Sequence, residues 1–260
     1  MEILLWDDIG KEKLVTEKPV AATIGVFDGL HPGHQRLLAA VKERAPGIAS
    51  LVITFTNNPV AVLHADSFSG DINSYHQKLK NFQLYGIDIL VLIDFSVIFS
   101  KMSGKEFWNT LLKQFRIIRI VAGEDFNFGN KRDTNIRNLP YLVKNCEITV
   151  IRPVEDKGEV VSSTKIRQWI QQGEIKKANA LLFQKYALDL QDSNQAGDNF
   201  ILKMNLKQVI PESGIFRVVF HSGENWQEGT VEISEEMIRL SEFGSLHIAD
   251  IQEIIFIEKA

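Results

Sequence analysis

A strand that breaks into a glycine-rich turn and then begins a helix is the feature that most constrains this chain. Residues 23–34 read TIGVFDGLHPGH, and the proline suits the first turn of a helix. Gly25 and Gly29 allow the backbone to approach a ligand closely. In an open α/β sheet, ligands bind at the carboxyl ends of the strands, and the N–H groups of the following helix favour phosphate. The turn therefore predicts a phosphate-binding site.

Two histidines in this turn are candidates for catalysis. His31 and His34 flank Gly33, which leaves space between the imidazoles. Imidazole titrates near neutral pH and donates hydrogen bonds when charged, so the pair is suited to stabilise negative charge growing on an α-phosphate. The alternative is a pair that caps the helix and fills the turn, but the position after a buried strand and Phe-Asp-Gly favours function. No cysteine or further histidine stands nearby, so we expect no metal site.

The first two thirds of the chain predict a Rossmann-like, doubly wound α/β fold with a parallel sheet. Between residue 20 and about residue 183, short β-branched runs alternate with segments of helical period. The predicted strands are Ala21–Val26, Leu51–Phe55, Ile89–Ile93, Ile117–Ala122 and Ile148–Ile151. The predicted helices are Gly33–Arg44, His76–Tyr85, Lys105–Phe115, Ile136–Lys144, Lys165–Gln171 and Ile175–Leu182.

The pattern changes after Tyr186. Residues 191–199 are polar and turn-forming, and the segments that follow resemble short strands without convincing helices. The predicted strands there are Phe200–Met204, Gly214–Phe220, Gly229–Ile233, Met237–Leu240 and Ile251–Ile257. The sequence thus predicts a small, mostly antiparallel β domain after the first one.

Composition excludes several partners and indicates a cytoplasmic location. The net charge of −4 argues against a surface for nucleic-acid backbones. The single cysteine, Cys146, cannot form an internal disulfide, so the chain fits a reducing compartment. We expect the Cys146 side chain to pack in the core of the protein. The N-terminal apolar run is too short for a signal peptide. The stretch Ile87–Phe95 is interrupted by Asp88 and Asp94, which argues against a membrane span.

A second motif, SSTKIR, occupies residues 162–167 at the start of a predicted helix. Thr164 and Arg167 are three residues apart and share a helix face, so a hydroxyl and a guanidinium can converge on a polyphosphate leaving group. The alternative is an N-cap, since Ser and Thr are favoured there. Both interpretations can hold together.

The chain resembles the FMN adenylyltransferase module of the bacterial bifunctional riboflavin kinase/FAD synthetase family. The blocks that carry the resemblance are GVFDGLHPGH, TFTNNP at 54–59, QLYGID at 83–88, GEDFNFG at 123–129, SSTKIR, and GEIKKANALL at 173–182. The resemblance implies an adenylyltransferase domain over residues 1–186. It also implies the reaction of FMN with ATP and Mg²⁺ to give FAD and pyrophosphate, without a covalent enzyme intermediate.

Carried over by position, the resemblance assigns site residues without any protein metal ligand. His31, His34 and Arg167 would be catalytic, and the residues assigned to ATP are Gly25, Phe27, Asp28, Gly29, Gly33, Ser163 and Thr164. The residues assigned to FMN are Phe55, Asn58, Gly123, Asp125 and Phe128. Two alternatives remain: Asp125 can stabilise its own turn, and the rings of Phe126 and Phe128 can belong to the core.

The chain departs from the family pattern in three places. Asn58 stands where the family has a histidine, which changes the flavin side, and Asp133 or Thr134 stands where a glycine is common. The Pro-Thr-Ala-Asn segment of the kinase is absent after residue 185. Residues 187–260 are therefore interpreted as a reduced riboflavin-kinase-like domain without kinase activity, which packs against or regulates the first.

Other functions stay open at this point. A pantetheine-phosphate adenylyltransferase or a cytidylyltransferase is the nearest enzymatic rival, but such chains are usually shorter and lack the GEDFNFG and SSTKIR pair. A flavin- or nucleotide-binding pseudoenzyme is the alternative from a different class. In either case the expected partners are small nucleotides and flavins, not nucleic acid or membrane, and the sequence does not indicate the oligomeric state.

Overall fold

The computed structural model describes residues 1–9, 16–43, 46–191, 199–244 and 246–260. Most of the turn predicted over 191–199, and Arg44 at the end of a predicted helix, lie outside the described residues. In chain order, the strands are β1 (Glu2–Leu5), β2 (Thr16–Ile24), β3 (Ala49–Phe55), β4 (Ile89–Ile93), β5 (Phe115–Gly123), β6 (Asn127–Phe128), β7 (Thr134–Asn135), β8 (Glu147–Ile151), β9 (Glu155–Asp156), β10 (Glu159–Val160), β11 (Ala187–Asp189), β12 (Phe200–Leu202), β13 (Gly214–Ser222), β14 (Asn225–Ile233), β15 (Met237–Ser241) and β16 (Glu253–Lys259).

The helices are mostly short. In chain order, the α-helices are α1 (Pro32–Lys42), α2 (Pro59–Leu63), α3 (Tyr75–Tyr85), α4 (Gly104–Gln114), α5 (Leu139–Leu142), α6 (Ser163–Gln171) and α7 (Ile175–Asn179). Short 3₁₀ turns occupy Trp6–Asp8, Ala65–Ser67, Phe99–Lys101, Asn130–Arg132, Lys203–Asn205 and Ile248–Asp250.

The described chain divides into two compact units. The first unit comprises Met1–Phe27, Gly33–Phe68 and Phe82–Val160, and the second comprises Asp28–Pro32, Ser69–Asn81 and Val161–Ala260. The HPGH turn is therefore shared: His31 belongs to the second unit and His34 to the first.

The first unit contains a parallel sheet with the strand order β1-β4-β3-β2-β5-β8. The chain leaves β2 towards β3 and β4 on one side and towards β5 and β8 on the other, so the order reverses beside β2. Strand β4 is buried along its whole length, as expected for a parallel strand covered on both faces. The predicted Rossmann-like, doubly wound fold is confirmed.

Helix α4 shows how the sequence builds this unit. Ser103 and Glu106 form a capping box that satisfies free N–H groups at the start of the helix. Its apolar face buries Phe107, Trp108 and Leu111 in the core beneath the sheet. Burial of side chains of this size contributes about 1.5–3 kcal/mol each.

The second unit contains an antiparallel sheet with the strand order β11-β16-β13-β14-β15-β12. Alternate residues of β13, among them Phe216 and Phe220, point into one core. Ile166 and Ile170 of α6 belong to that same core. Helices α6 and α7 thus pack with the antiparallel sheet, although the sequence places them in the adenylyltransferase-like domain. The boundary at 186/187 stays a prediction about function.

Within the described ranges, no helix has both the length and the apolar character needed to span a membrane.

Candidate active site

The backbone of the predicted phosphate-binding turn adopts conformations that most residues avoid. Phe27 and Leu30 have φ values of 52° and 37°, and Gly29 has a φ of 84°. A Cβ atom on Gly29 would lie 2.9 Å from Leu182 Cδ2 and 3.1 Å from Ile72 Cδ1. Such strain persists only where surrounding contacts enforce it, and it is common at functional sites.

The Asp28 carboxylate enforces the turn from a buried position. It is 1% exposed, and it accepts hydrogen bonds from the backbone N–H groups of Ile72 and Asn73, both at 3.0 Å. It also accepts one from Arg167 Nη2 at 2.7 Å. Asp28 therefore ties the turn both to residues 72–73 and to helix α6.

Residues of the SSTKIR motif meet the same turn. Ser163 Oγ donates to the carbonyl oxygen of Asp28 at 2.8 Å, and Arg167 Nε donates to the carbonyl oxygen of Gly70 at 2.8 Å. Ser162 is the N-cap of α6, which agrees with the N-cap interpretation of the motif. Thr164 is exposed in the first helical turn. Arg167 thus has a structural role in addition to any contact with substrate.

His31 is buried, and this changes its chemistry. Burial lowers the pKa of His31 to about 4, although the negative charge of Asp28 acts in the opposite direction. The imidazole is therefore neutral near pH 7 in the free chain. His34 lies in the first turn of α1, and its ring contacts the edge of Phe27 with centroids 5.2 Å apart.

The side chain of Phe27 is part of the buried core. Its ring is fully buried and packs against Phe82 with centroids 5.7 Å apart. The assignment of Phe27 to ATP stays a prediction, and it rests on the backbone, which turns at a positive φ.

Lys78 is a residue that the sequence interpretation missed. It lies in α3, is 5% exposed, and burial lowers its pKa while Asp28 and Asp71 oppose that shift. The spacing of Lys78, Asn81 and Phe82 on one buried helical face was the available signal. Lys78 is therefore a buried basic group beside Asp28, close to the turn.

The first unit contains a cavity of about 670 Å³ beyond the carboxyl end of β2. Gly25, Phe55, Asp125 and Phe128 of the predicted set line it. Further lining residues that the sequence did not single out are Leu63, His64, Phe95, Phe99 and Met102. Phe128 also packs on Phe107, with centroids 4.3 Å apart, so its ring serves both the core and the cavity.

Two residues assigned to FMN have other surroundings. Asn58 is 4% exposed and caps α2, where its Oδ1 accepts from Val60 N at 3.1 Å. Gly123 ends β5, and a Cβ there would lie 2.8 Å from Asp125 Oδ1. Neither belongs to the lining of this cavity, and their assignment to FMN stays a prediction.

Asp133, one of the two residues that can correspond to the glycine common in the family, anchors the loop that forms one wall of the cavity. It accepts from the N–H of Gly104 at the start of α4, at 3.0 and 3.3 Å to its two oxygens. Its carbonyl oxygen accepts from Asn138 Nδ2 at 2.6 Å. Lys131 and Arg132, with φ values of 53° and 60°, are held in left-handed conformations just before it.

The sequence model of the FAD synthetase family matches residues 14–165, more than half of the chain. The chain belongs to the FAD synthetase family. Its members are nucleotidyltransferases, and the match includes the HPGH turn and most of the SSTKIR motif.

Sequence alignments of this FAD synthetase-family chain with known relatives cover different fractions of its length. A bifunctional riboflavin kinase/FMN adenylyltransferase of Listeria monocytogenes is 27% identical over 226 residues, 83% of this chain and 69% of the relative. A protein with the same description from Buchnera aphidicola is 32% identical over 174 residues, 65% of this chain and 56% of the relative. A protein described as FAD synthetase, also from Listeria monocytogenes, is 30% identical over 164 residues, 62% of this chain and 67% of the relative. Against further bifunctional relatives the chain spans 55% and 65% of their length.

A solved structure described as a macrolide-efflux protein from Streptococcus pneumoniae has the same fold. It has a TM-score of 0.83 and 24% sequence identity, and the alignment covers 100% of this chain and 91% of that one. At this level of identity, the likeness supports the fold alone.

Proposed function

We propose that this chain transfers the adenylyl group of ATP to FMN and releases FAD and pyrophosphate. One observation carries the proposal: the buried Asp28 carboxylate binds residues 72–73 and the Arg167 guanidinium, so a single cluster joins the turn to the SSTKIR helix. These are the two motifs whose combination indicates adenylyl transfer. The choice of FMN as acceptor rests on family membership and on the flavin names of the relatives.

The proposed reaction is an in-line displacement at phosphorus. A phosphate oxygen of FMN forms a bond to the α-phosphorus of ATP while the bond to the oxygen bridging the α- and β-phosphates breaks, and pyrophosphate leaves. His31 and His34 stabilise the charge that grows on the α-phosphate. Since His31 is neutral in the free chain, it acts as a neutral N–H donor, or gains a proton when phosphate arrives.

The leaving pyrophosphate is assigned to the start of α6. Free N–H groups at a helix N-terminus bind phosphate, and Ser163 and Thr164 add hydroxyl donors there. Arg167 supplies a positive charge whose position is fixed by its bonds to Asp28 and Gly70.

The flavin ring is assigned to the cavity of the first unit. Its volume of about 670 Å³ lies in the range typical of small-molecule sites, and aromatic side chains such as Phe55, Phe95 and Phe128 suit a planar ring. Asn58 acts indirectly in this proposal, because it holds the start of α2, which carries Pro59 and Leu63 of the lining.

Mg²⁺ fits the chain as part of the substrate. The described residues include no group of three or more His, Cys, Asp or Glu side chains placed to hold a metal ion. Mg²⁺ is commonly bound by substrate phosphates with few protein ligands. It would therefore arrive as the MgATP complex and neutralise phosphate charge, while His31, His34 and Arg167 orient the phosphates.

A flavin-conversion assay tests the proposal. The protein is incubated with FMN, ATP and Mg²⁺, and the flavins are separated by chromatography. FAD is the expected product, and His34→Ala is expected to lower the rate by at least about two orders of magnitude. The matched control is Lys113→Ala on the exposed side of α4, which should retain the rate. FMN binding without turnover would favour a flavin sensor and overturn the proposal.

We also propose that the chain lacks riboflavin kinase activity and resides in the cytoplasm. The kinase proposal rests on the absence of a Pro-Thr-Ala-Asn segment after residue 185. The protein supplied with riboflavin, ATP and Mg²⁺ should produce no FMN. Clear production of FMN under these conditions would contradict the proposal.

A further inference from the structure

A cavity of about 460 Å³ lies within the second unit, and the proposed adenylyl transfer does not use it. Its walls come from Asn73 and helix α3, from residues 183–187, and from strands β13, β14 and β16. The volume falls in the range typical of small-molecule sites. The cavity combines an aromatic platform, buried amide groups and cationic side chains.

Trp226 forms the aromatic platform. One face of its ring stacks on His221, with centroids 4.1 Å apart and an interplanar angle of 26°. His221 is itself positioned, because its Nε2 lies 2.9 Å from the carbonyl oxygen of Gly223. Trp226 nevertheless remains 59% exposed, so it is fixed in place with ring surface available for a ligand. A planar ring is the group that such a platform binds best.

Two buried asparagines supply a polar edge in the same cavity. Asn73 and Asn81 are 8% and 4% exposed, and both line the cavity. Asn73 Oδ1 accepts from Gly29 N and from Asn81 Nδ2, at 3.1 and 3.3 Å. In the described parts of the chain, Asn73 Nδ2 and Asn81 Oδ1 have no hydrogen-bond partner. They therefore offer one donor and one acceptor to a ligand.

The charged groups of the cavity favour an anion. Glu253 is already engaged, because it accepts from Gln77 Nε2 at 2.9 Å and lies 3.4 Å from Lys80 Nζ. Lys185 is exposed and has no ion-pair partner among the residues that the structure describes. Its ammonium is therefore available to a phosphate.

We propose that this cavity binds a planar heteroaromatic monophosphate. The ring stacks on Trp226, an edge with a donor and an acceptor pairs with Asn73 and Asn81, and the phosphate binds Lys185. Nucleoside monophosphates and FMN share this chemistry, and the experiment below distinguishes them.

Equilibrium dialysis of the full-length protein tests the proposal, with AMP, FMN and riboflavin as separate probes. At saturation, the wild-type chain should bind one more molecule of AMP or of FMN than Trp226→Ala does. Whichever of the two shows the difference identifies the ligand. Trp226→Phe keeps an aromatic ring and should retain the additional molecule, with an affinity within about tenfold of wild type.

A second variant tests the proposed contact between Lys185 and the phosphate. It also keeps the test valid if Trp226→Ala fails to fold. Lys185→Glu should weaken the additional binding by about tenfold or more and leave riboflavin binding unchanged. Lys113→Glu is the matched control on the surface of the first unit and should bind as wild type does. None of these variants should alter the rate of FAD formation at saturating substrate. The proposal would be overturned if Trp226→Ala bound as many molecules of AMP, and as many of FMN, as the wild type does. It would also be overturned if Lys185→Glu left the affinity of the additional molecule unchanged.

Discussion

At the scale of single residues, Asp28 organises the candidate active site. Its carboxylate has four described hydrogen-bond contacts to three donors, from Ile72, Asn73 and Arg167. A buried carboxylate is stable only when it is paired and hydrogen-bonded, and Asp28 meets both conditions. The residue therefore links the shape of the turn to the position of the cation that we assign to the leaving group.

Removing either partner of this pair should destabilise the fold. Asp28→Ala leaves the Arg167 guanidinium without its carboxylate, and Arg167→Ala leaves the buried Asp28 carboxylate without its guanidinium. Each single variant should lower the free energy of unfolding by about 3–5 kcal/mol. The double variant should cost much less than the sum, because it removes both members of the pair together. Urea unfolding of the four proteins measures this coupling. Additive effects would show that the 2.7 Å contact contributes little.

The buried His31 makes stability depend on pH in a definite direction. Its folded pKa of about 4 lies below the unfolded value of 6.5, so the unfolded chain binds more protons between these pH values. The contribution is fully present above pH 6.5 and is lost as the pH falls towards 4. The loss reaches up to about 3 kcal/mol, since a tenfold change in proton affinity is worth about 1.4 kcal/mol.

Urea unfolding between pH 4 and pH 7 checks this prediction against His31→Gln. The variant cannot titrate in this range and should show a flatter pH dependence than the wild type. Identical slopes for the two proteins would mean that His31 is not buried as a neutral group.

At the scale of elements, the sequence predicts best what is local and strongly patterned. Strand β4 begins and ends at the predicted residues because its five residues form one unbroken apolar run. Strand β1 was not predicted, since most of it is exposed and it has no alternating pattern. The predicted helix Ile136–Lys144 is reduced to α5, because Pro140 fits only the first helical turn.

The loop that ends at Asp133 gives a prediction at this scale. Asp133→Ala removes the acceptor for the Gly104 N–H and should release the wall of the cavity that we assign to the flavin. We expect the KM for FMN to rise by about tenfold, which corresponds to about 1.4 kcal/mol of lost pre-organisation, while the KM for ATP changes little.

Steady-state kinetics with each substrate varied in turn separates the two effects. Asp156→Ala, at an exposed position in β9, is the matched control and should leave both constants unchanged. An equal rise in both KM values would show that the loop affects the whole site.

At the scale of the whole molecule, each compact unit has its own core, and sequence order does not follow the units. The second unit takes in Asp28–Pro32 and Ser69–Asn81 together with Val161–Ala260. Gly70 shows why: at a φ of 108°, a Cβ on it would lie 2.4 Å from the backbone nitrogen of Val209. Such a close approach ties the 69–81 segment to the C-terminal part of the chain.

A chain that ends after Tyr186 should therefore fail as an adenylyltransferase. Ile166 and Ile170 of α6 would lose Phe216 and Phe220 from their core, and each large side chain lost from a core costs about 3–5 kcal/mol. We expect FAD formation to fall by at least about two orders of magnitude.

Thermal unfolding and the flavin assay check this prediction. Met204→Ala, at an 85% exposed position of the second unit, is the control that should keep both stability and activity. Full activity of the shortened chain would instead support a functional boundary at 186/187.

The sequence by itself determined the fold class, the HPGH and SSTKIR motifs and the family, because apolar periodicity, turn residues and motif spacing are local signals. Only the tertiary structure decided that Asp28 and Arg167, 139 positions apart, form one buried pair. The same holds for the neutral state of His31 and the capping role of Asn58, which depend on burial and on partners elsewhere in the chain. Desolvation and hydrogen bonding between distant residues set these properties, and no local pattern encodes them.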